Sequence, residues 1–87
     1  MQPVARRTDE HDCPLHGKNR IADVAARMKL DGMEIATVGD VTECGAVITT
    51  GSPVNMIDGR RIAHIGSQTS HGGFITTGSV TEKVRSG

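Results

Sequence analysis

Five side chains in this sequence are of types that bind soft metal ions. His11, Cys13 and His16 lie together in "EHDCPLHG"; Cys44 and His71 sit at the centres of two near-identical phrases, "TVGDVTECGAVITTGSP" and "HIGSQTSHGGFITTGSV". Cys44 and His71 occupy matching places in those phrases. Few tasks accept a thiol and an imidazole interchangeably, and metal coordination is one of them. A closed structural zinc site takes four such ligands at tetrahedral corners. Taken singly, a cysteine in a small domain is most often a small buried apolar residue; the shared register of Cys44 and His71 is what joins them.

Extended backwards, the repeat makes His16-Gly17 the counterpart of Cys44-Gly45 and His71-Gly72, with a one-residue insertion. The fourth ligand is then His11 or Cys13. His11 has enough chain between itself and His16 to turn back to the same ion. Cys13 precedes Pro14, whose fixed φ restricts that short segment. The residues favour His11, with Cys13 as the substitute. A Cys13–Cys44 disulfide is the weaker reading in a reducing compartment, and the neighbouring histidines favour metal. His64 is set apart: it falls where the other copy has Thr37, and is expected at the surface or facing a partner.

The elements that must position these residues follow from the same repeat. "KLDGMEIATVGDVTECGAVITTGS" aligns with "MIDGRRIAHIGSQTSHGGFITTGS", placing Asp31-Gly32 on Asp58-Gly59 and Ile35 on Ile62. The period of about 27 residues lies in the range of repeat architectures. "IADVAARMKLDG" lies over "ITTGSPVNMIDG" as an eroded third copy, so the loops before Ile21, Ile48 and Ile75 suggest an approximate threefold axis. Asp-Gly between β-branched runs is a strong hairpin signal, because both central residues of a type I′ turn need positive φ. The expected fold class is all-β, in short strands and hairpins. One stretch, "RIADVAARMKL", also spaces Ile21, Val24, Ala25 and Met28 as a short amphipathic helix would.

Composition narrows the function. An 87-residue chain makes one small domain, here with a single Phe and no Trp or Tyr, so its core is thin and needs a supplement such as a metal or a partner. Ten basic and ten acidic residues balance, which leaves no electrostatic footprint for nucleic acid or an anionic membrane. No stretch of about 20 apolar residues is present and the first residues are polar, so neither a membrane span nor a secretory signal is expected. No glycine run forms a phosphate loop or a nucleophile elbow.

On "RTDEHDCPLHG", "ATVGDVTECGAVITTGSPVNMIDGRRIAHIGS" and "TSHGGFITTGS", which cover most of the chain, the sequence resembles the PAAR-repeat proteins. These are small tips on the trimeric spikes of type VI secretion systems and related contractile phage tails. The resemblance implies one domain over residues 1–87, built as a small pseudo-threefold cone of short strands with a zinc site near its tip. Carried over by position, the family's three histidines and one cysteine fall on His11, His16, Cys44 and His71. The implied partner is a trimeric VgrG-like spike protein, one copy per trimer, with an effector as an optional second. The implied role is non-enzymatic: a cytoplasmic protein until firing, then exported without a signal peptide, piercing a target membrane rather than residing in it. The sequence departs from the family pattern in its tetrads, "EIAT" and "RIAH", and in lacking "GSP" in the first copy.

Two rivals remain at this level. A zinc hydrolase would need an open coordination position and a general base, for which Glu43 or Asp12 is available. A metal-stabilised binding module unrelated to secretion is compatible with the composition. Ile35, Ala36, Ile62 and Ala63 are readable either as spike contacts or as filling for the thin core.

Overall fold

Both Asp-Gly pairs form the turns that their chemistry demands. Asp31 and Gly32 have φ of 57° and 81°, and Asp58 and Gly59 have 52° and 78°, the pair of positive values that defines type I′. They close the hairpins β4–β5 (Lys29–Leu30 with Met33–Glu34) and β7–β8 (Met56–Ile57 with Arg60–Arg61). The computed structural model describes residues 1–85, and among them every regular element is a strand. A third two-stranded pair joins β1 (Gln2–Pro3) to β10 (Lys83–Val84), antiparallel like the hairpins. Val84 there occupies the place of Leu30 and Ile57, so the two ends of the chain complete a set of three.

Above the hairpins the backbone closes a ring. The Ala36 N–H donates to the Ala5 carbonyl at 3.0 Å, Ala63 to Ala36 at 2.9 Å, and Ala5 to Ala63 at 2.9 Å. The three alanines are fully buried. The first member of this set is Ala5 in "PVAR", a copy of the tetrad that the sequence reading passed over. Each ring position is followed by a turn whose first N–H is capped by a side chain three residues on: Arg6 by Asp9 at 2.7 Å, Thr37 by Asp40 at 2.7 Å, and His64 by Ser67 at 3.0 Å. Such caps satisfy donors that would otherwise be buried unpaired.

The core is two small stacked clusters. Val4, Ile35, Ile62 and Val84 pack with Leu30 and Ile57 beside the hairpins. Ala5, Ala36 and Ala63 pack with Ile21, Ile48 and Ile75. The three isoleucines of the second cluster are almost fully buried, each contributing about 1.5–3 kcal/mol of transfer free energy. Each recurs at the repeat spacing, so one cluster serves three copies. The result is the expected all-β, pseudo-threefold cone.

Three expectations are settled by this packing. The segment after Ile21 is strand β3 (Gly17–Asp23) followed by irregular chain, not a helix; pairing of Ile21 with Thr42 and Asp23 with Val41 overrides the helical spacing. Ile35, Ala36, Ile62 and Ala63 are core residues. His64 is buried rather than partner-facing, its Nδ1 lying 2.7 Å from the Ile65 carbonyl. Thr37, its counterpart, is buried too; both polar side chains are satisfied on local groups, Thr37 by Asp40.

Candidate metal centre

The site is carried by a four-stranded antiparallel sheet in the order β6–β3–β2–β9, with β2 at Glu10–Cys13, β6 at Val41–Thr42 and β9 at Phe74–Ile75. Along β2 the side chains alternate, so that His11 and Cys13 point inward while Glu10 and Asp12 face out. The inward His11 lies at the level of Thr42 and Thr69, its counterparts in the other copies, and all three are buried. One inward step further, Cys13 lies at the level of Cys44 and His71. The threefold counterpart of Cys44 and His71 in the first copy is therefore Cys13. The insertion Pro14-Leu15-His16 then loops out and returns at Gly17, whose positive φ of 74° matches Gly45 at 86° and Gly72 at 84°.

Cys13, His16, Cys44 and His71 each present one donor atom, and these four atoms all lie within 4.8 Å of one another. Cys13 Sγ is 3.6 Å from His16 Nδ1 and 3.8 Å from His71 Nδ1; Cys44 Sγ is 3.6 Å from His71 Nδ1. The His16 and His71 rings lie beside each other, with centroids 5.2 Å apart. Burial pushes the Cys44 thiol up, but the Thr42 hydroxyl at 3.3 Å, the Ala46 backbone, His71 and Cys13 outweigh it and bring it down to about 6. A thiolate is what a metal ligand must be. The group can hold a metal ion.

Of the ligands favoured from sequence, the structure brings His16, Cys44 and His71 together. His11 lies next to the group rather than in it. Its Nε2 is 2.8 Å from Thr69 Oγ1 and its Nδ1 is 3.2 Å from Asn19 Oδ1, with Cys44 Sγ more distant at 4.0 Å. Both ring nitrogens are thus engaged with the protein. Cys13, the substitute, completes the four. The signal that would have found it is the upstream spacing: Ala5 and Asp9 precede Ala36 and Asp40 by the same interval as Cys13 precedes Cys44.

The close approach of the strands depends on one residue. A Cβ on Gly73 would meet the Asp12 carbonyl at 2.2 Å, His11 Nε2 at 2.7 Å and Cys13 Cα at 3.0 Å. Only a glycine lets β9 lie against β2 and so holds His71 and Cys13 to one point.

Three pseudo-equivalent β units converge on a Cys/His group that can hold a metal ion, which defines a small β-repeat protein. The PAAR motif model matches residues 1–50 of the 87-residue chain, and the chain belongs to the PAAR-motif family. No curated protein matches it.

Proposed function

We propose that the protein is a structural zinc-binding tip that caps the trimeric spike of a type VI secretion system or a related contractile tail. The observation that carries this reading is the convergence of Cys13, His16, Cys44 and His71 in a threefold molecule of the PAAR-motif family. Bond lengths of about 2.3 Å to sulfur and 2.0–2.1 Å to nitrogen at tetrahedral angles require sulfur-to-nitrogen separations of about 3.6 Å. The contacts of 3.6–3.8 Å fit that requirement. The proposed ligand set is two cysteines and two histidines, with His11 supporting the site from beneath. Zinc held there would tie the ligand loops of all three copies together where no large side chain is available. Structural zinc contributes on the order of 10 kcal/mol, comparable to the whole stability of a domain.

The opposite face suits docking. The three strand pairs at 29–34, 56–61 and 2–3 with 83–84 repeat around the axis, and Met1, Met28 and Met56 are exposed there. Methionine fills irregular apolar surfaces readily, and a threefold base matches a threefold spike. A hydrolytic role is less well supported. Four protein ligands leave no open position, and Glu43 accepts the Arg20 N–H at 2.8 Å instead of facing the group.

Mixing the chain with its cognate trimeric spike should give a complex of one copy per trimer by mass photometry or cryo-electron microscopy. Zinc analysis of protein purified without chelator should give about one ion per chain. A protein that carries zinc but binds none of the cognate spikes would remove the capping role.

A further inference from the structure

The centre holds two sulfurs, and its own symmetry shows that one would suffice. Position 44 is a cysteine where its counterpart, position 71, is a histidine, so the scaffold accepts an imidazole at that corner. The two sulfurs are unequally placed: Cys13 is buried, while Cys44 is half-exposed. The loop that carries Cys44 is uncrowded at the next residue, where a Cβ added to Gly45 would meet nothing within 4 Å beyond its chain neighbours. Both sulfurs fall inside the 4.8 Å span of the ligand atoms. A disulfide bond of about 2.05 Å requires the two sulfurs to approach by less than about 3 Å from within that span.

Building on the assignment of Cys13 and Cys44 as metal ligands, we propose that the centre doubles as a redox-active dithiol whose substrates are small two-electron oxidants of the peroxide class, and that its oxidation releases the metal. The more accessible Cys44 thiolate attacks a peroxide oxygen, the O–O bond breaks, and a sulfenic acid and hydroxide result. The Cys13 thiolate then attacks the Cys44 sulfur and displaces a second hydroxide, leaving an intramolecular disulfide. Two thiolates, one hydrogen peroxide and two protons give one disulfide and two waters. A disulfide is a poor metal donor, so His16 and His71 alone retain the ion weakly.

The test uses the full chain loaded with zinc. Zinc uptake is recorded first; hydrogen peroxide is then added in small excess with a chromogenic chelator present, and intact mass is followed in parallel. The expected result is loss of about one zinc per chain together with a fall of about 2 Da, mapped to a Cys13–Cys44 crosslink and reversed by dithiothreitol. Cys44→His should bind zinc and keep it under the same oxidant. Failure to take up zinc at the outset overturns the metal-centre reading and this one with it. Zinc uptake followed by retention, or by release with gains of oxygen mass instead of the crosslink, overturns this inference alone. The wild-type measurement decides even where the variant does not fold.

Discussion

Replacing Gly73 by alanine tests whether the approach of β9 to β2 is what assembles the site. The added Cβ would stand 2.2 Å from the Asp12 carbonyl and 3.0 Å from Cys13 Cα, both backbone atoms of a paired strand that cannot swing aside. Overpacking of a well-filled interior costs about 1–3 kcal/mol, and more where nothing yields, so about 3 kcal/mol is expected. For a domain of this size each kcal/mol shifts Tm by about 4–8 °C, which gives a fall of roughly 12–24 °C by differential scanning calorimetry. The same variant should bind zinc more weakly, because β2 ends at Cys13 and the loop before β9 carries His71. The control is Gly32→Ala, where the added Cβ meets nothing within 4 Å. There only the positive φ of 81° is strained, at about 1–2 kcal/mol, and zinc affinity should be unchanged. A Gly73→Ala protein as stable as the Gly32→Ala control, with normal zinc binding, would refute the reasoning.

Other outcomes are equally open to measurement. Cys13→Ala should lower zinc affinity by about 100-fold to 1,000-fold, as expected for losing one of four ligands that share about 10–16 kcal/mol. His11→Asn should lower it by only about 10-fold to 100-fold, the usual effect of a residue supporting a ligand; competition with a chelating dye separates them, and the reverse ranking would make His11 the ligand instead of Cys13. Zinc affinity should fall on acidification, since the cysteine thiols and histidine rings must all be deprotonated to bind; a flat profile on acidification would contradict this. The Asp31 carboxyl is held below its usual value by the Ser79 hydroxyl first, then, against some burial, by Thr81 and Arg6. Its stabilising effect is therefore complete above the unfolded value of 3.8 and lost as pH falls through the lower folded value. Asp31→Asn should flatten the acid limb of the stability curve, and an unchanged limb would show the contacts to be idle.

Much of this was legible in the residues because the repeat did the reading. Asp31-Gly32 and Asp58-Gly59 announced their turns, since few residue pairs accept two successive positive φ values. Ile21, Ile48 and Ile75 announced a shared interior. The fourth member of the Cys/His group is harder to read for a physical reason. Counted from Ile21, His16 matches Cys44 once a one-residue insertion is allowed; counted from Ala5, Cys13 matches it with no gap. Both counts are sound, because the inserted Pro14-Leu15-His16 lets one loop supply two donors to the group. The fixed φ of Pro14 argues against Cys13, yet Pro14 forms part of the turn that returns the chain to Gly17. The third strand pair was invisible because its members lie at opposite ends of the sequence. The burial of His64 is not legible in the sequence, because an imidazole satisfied by the neighbouring Ile65 carbonyl leaves no mark in residue type.

The meeting of β1 with β10 has an engineering consequence. Residues 2–3 and 83–84 lie side by side where the other two copies have an Asp-Gly turn. A short linker across that gap, with a cut at either of the existing turns, should yield a rewired protein with its interior undisturbed. Fluorophores or fusion partners could then be attached at whichever of the three openings an experiment needs.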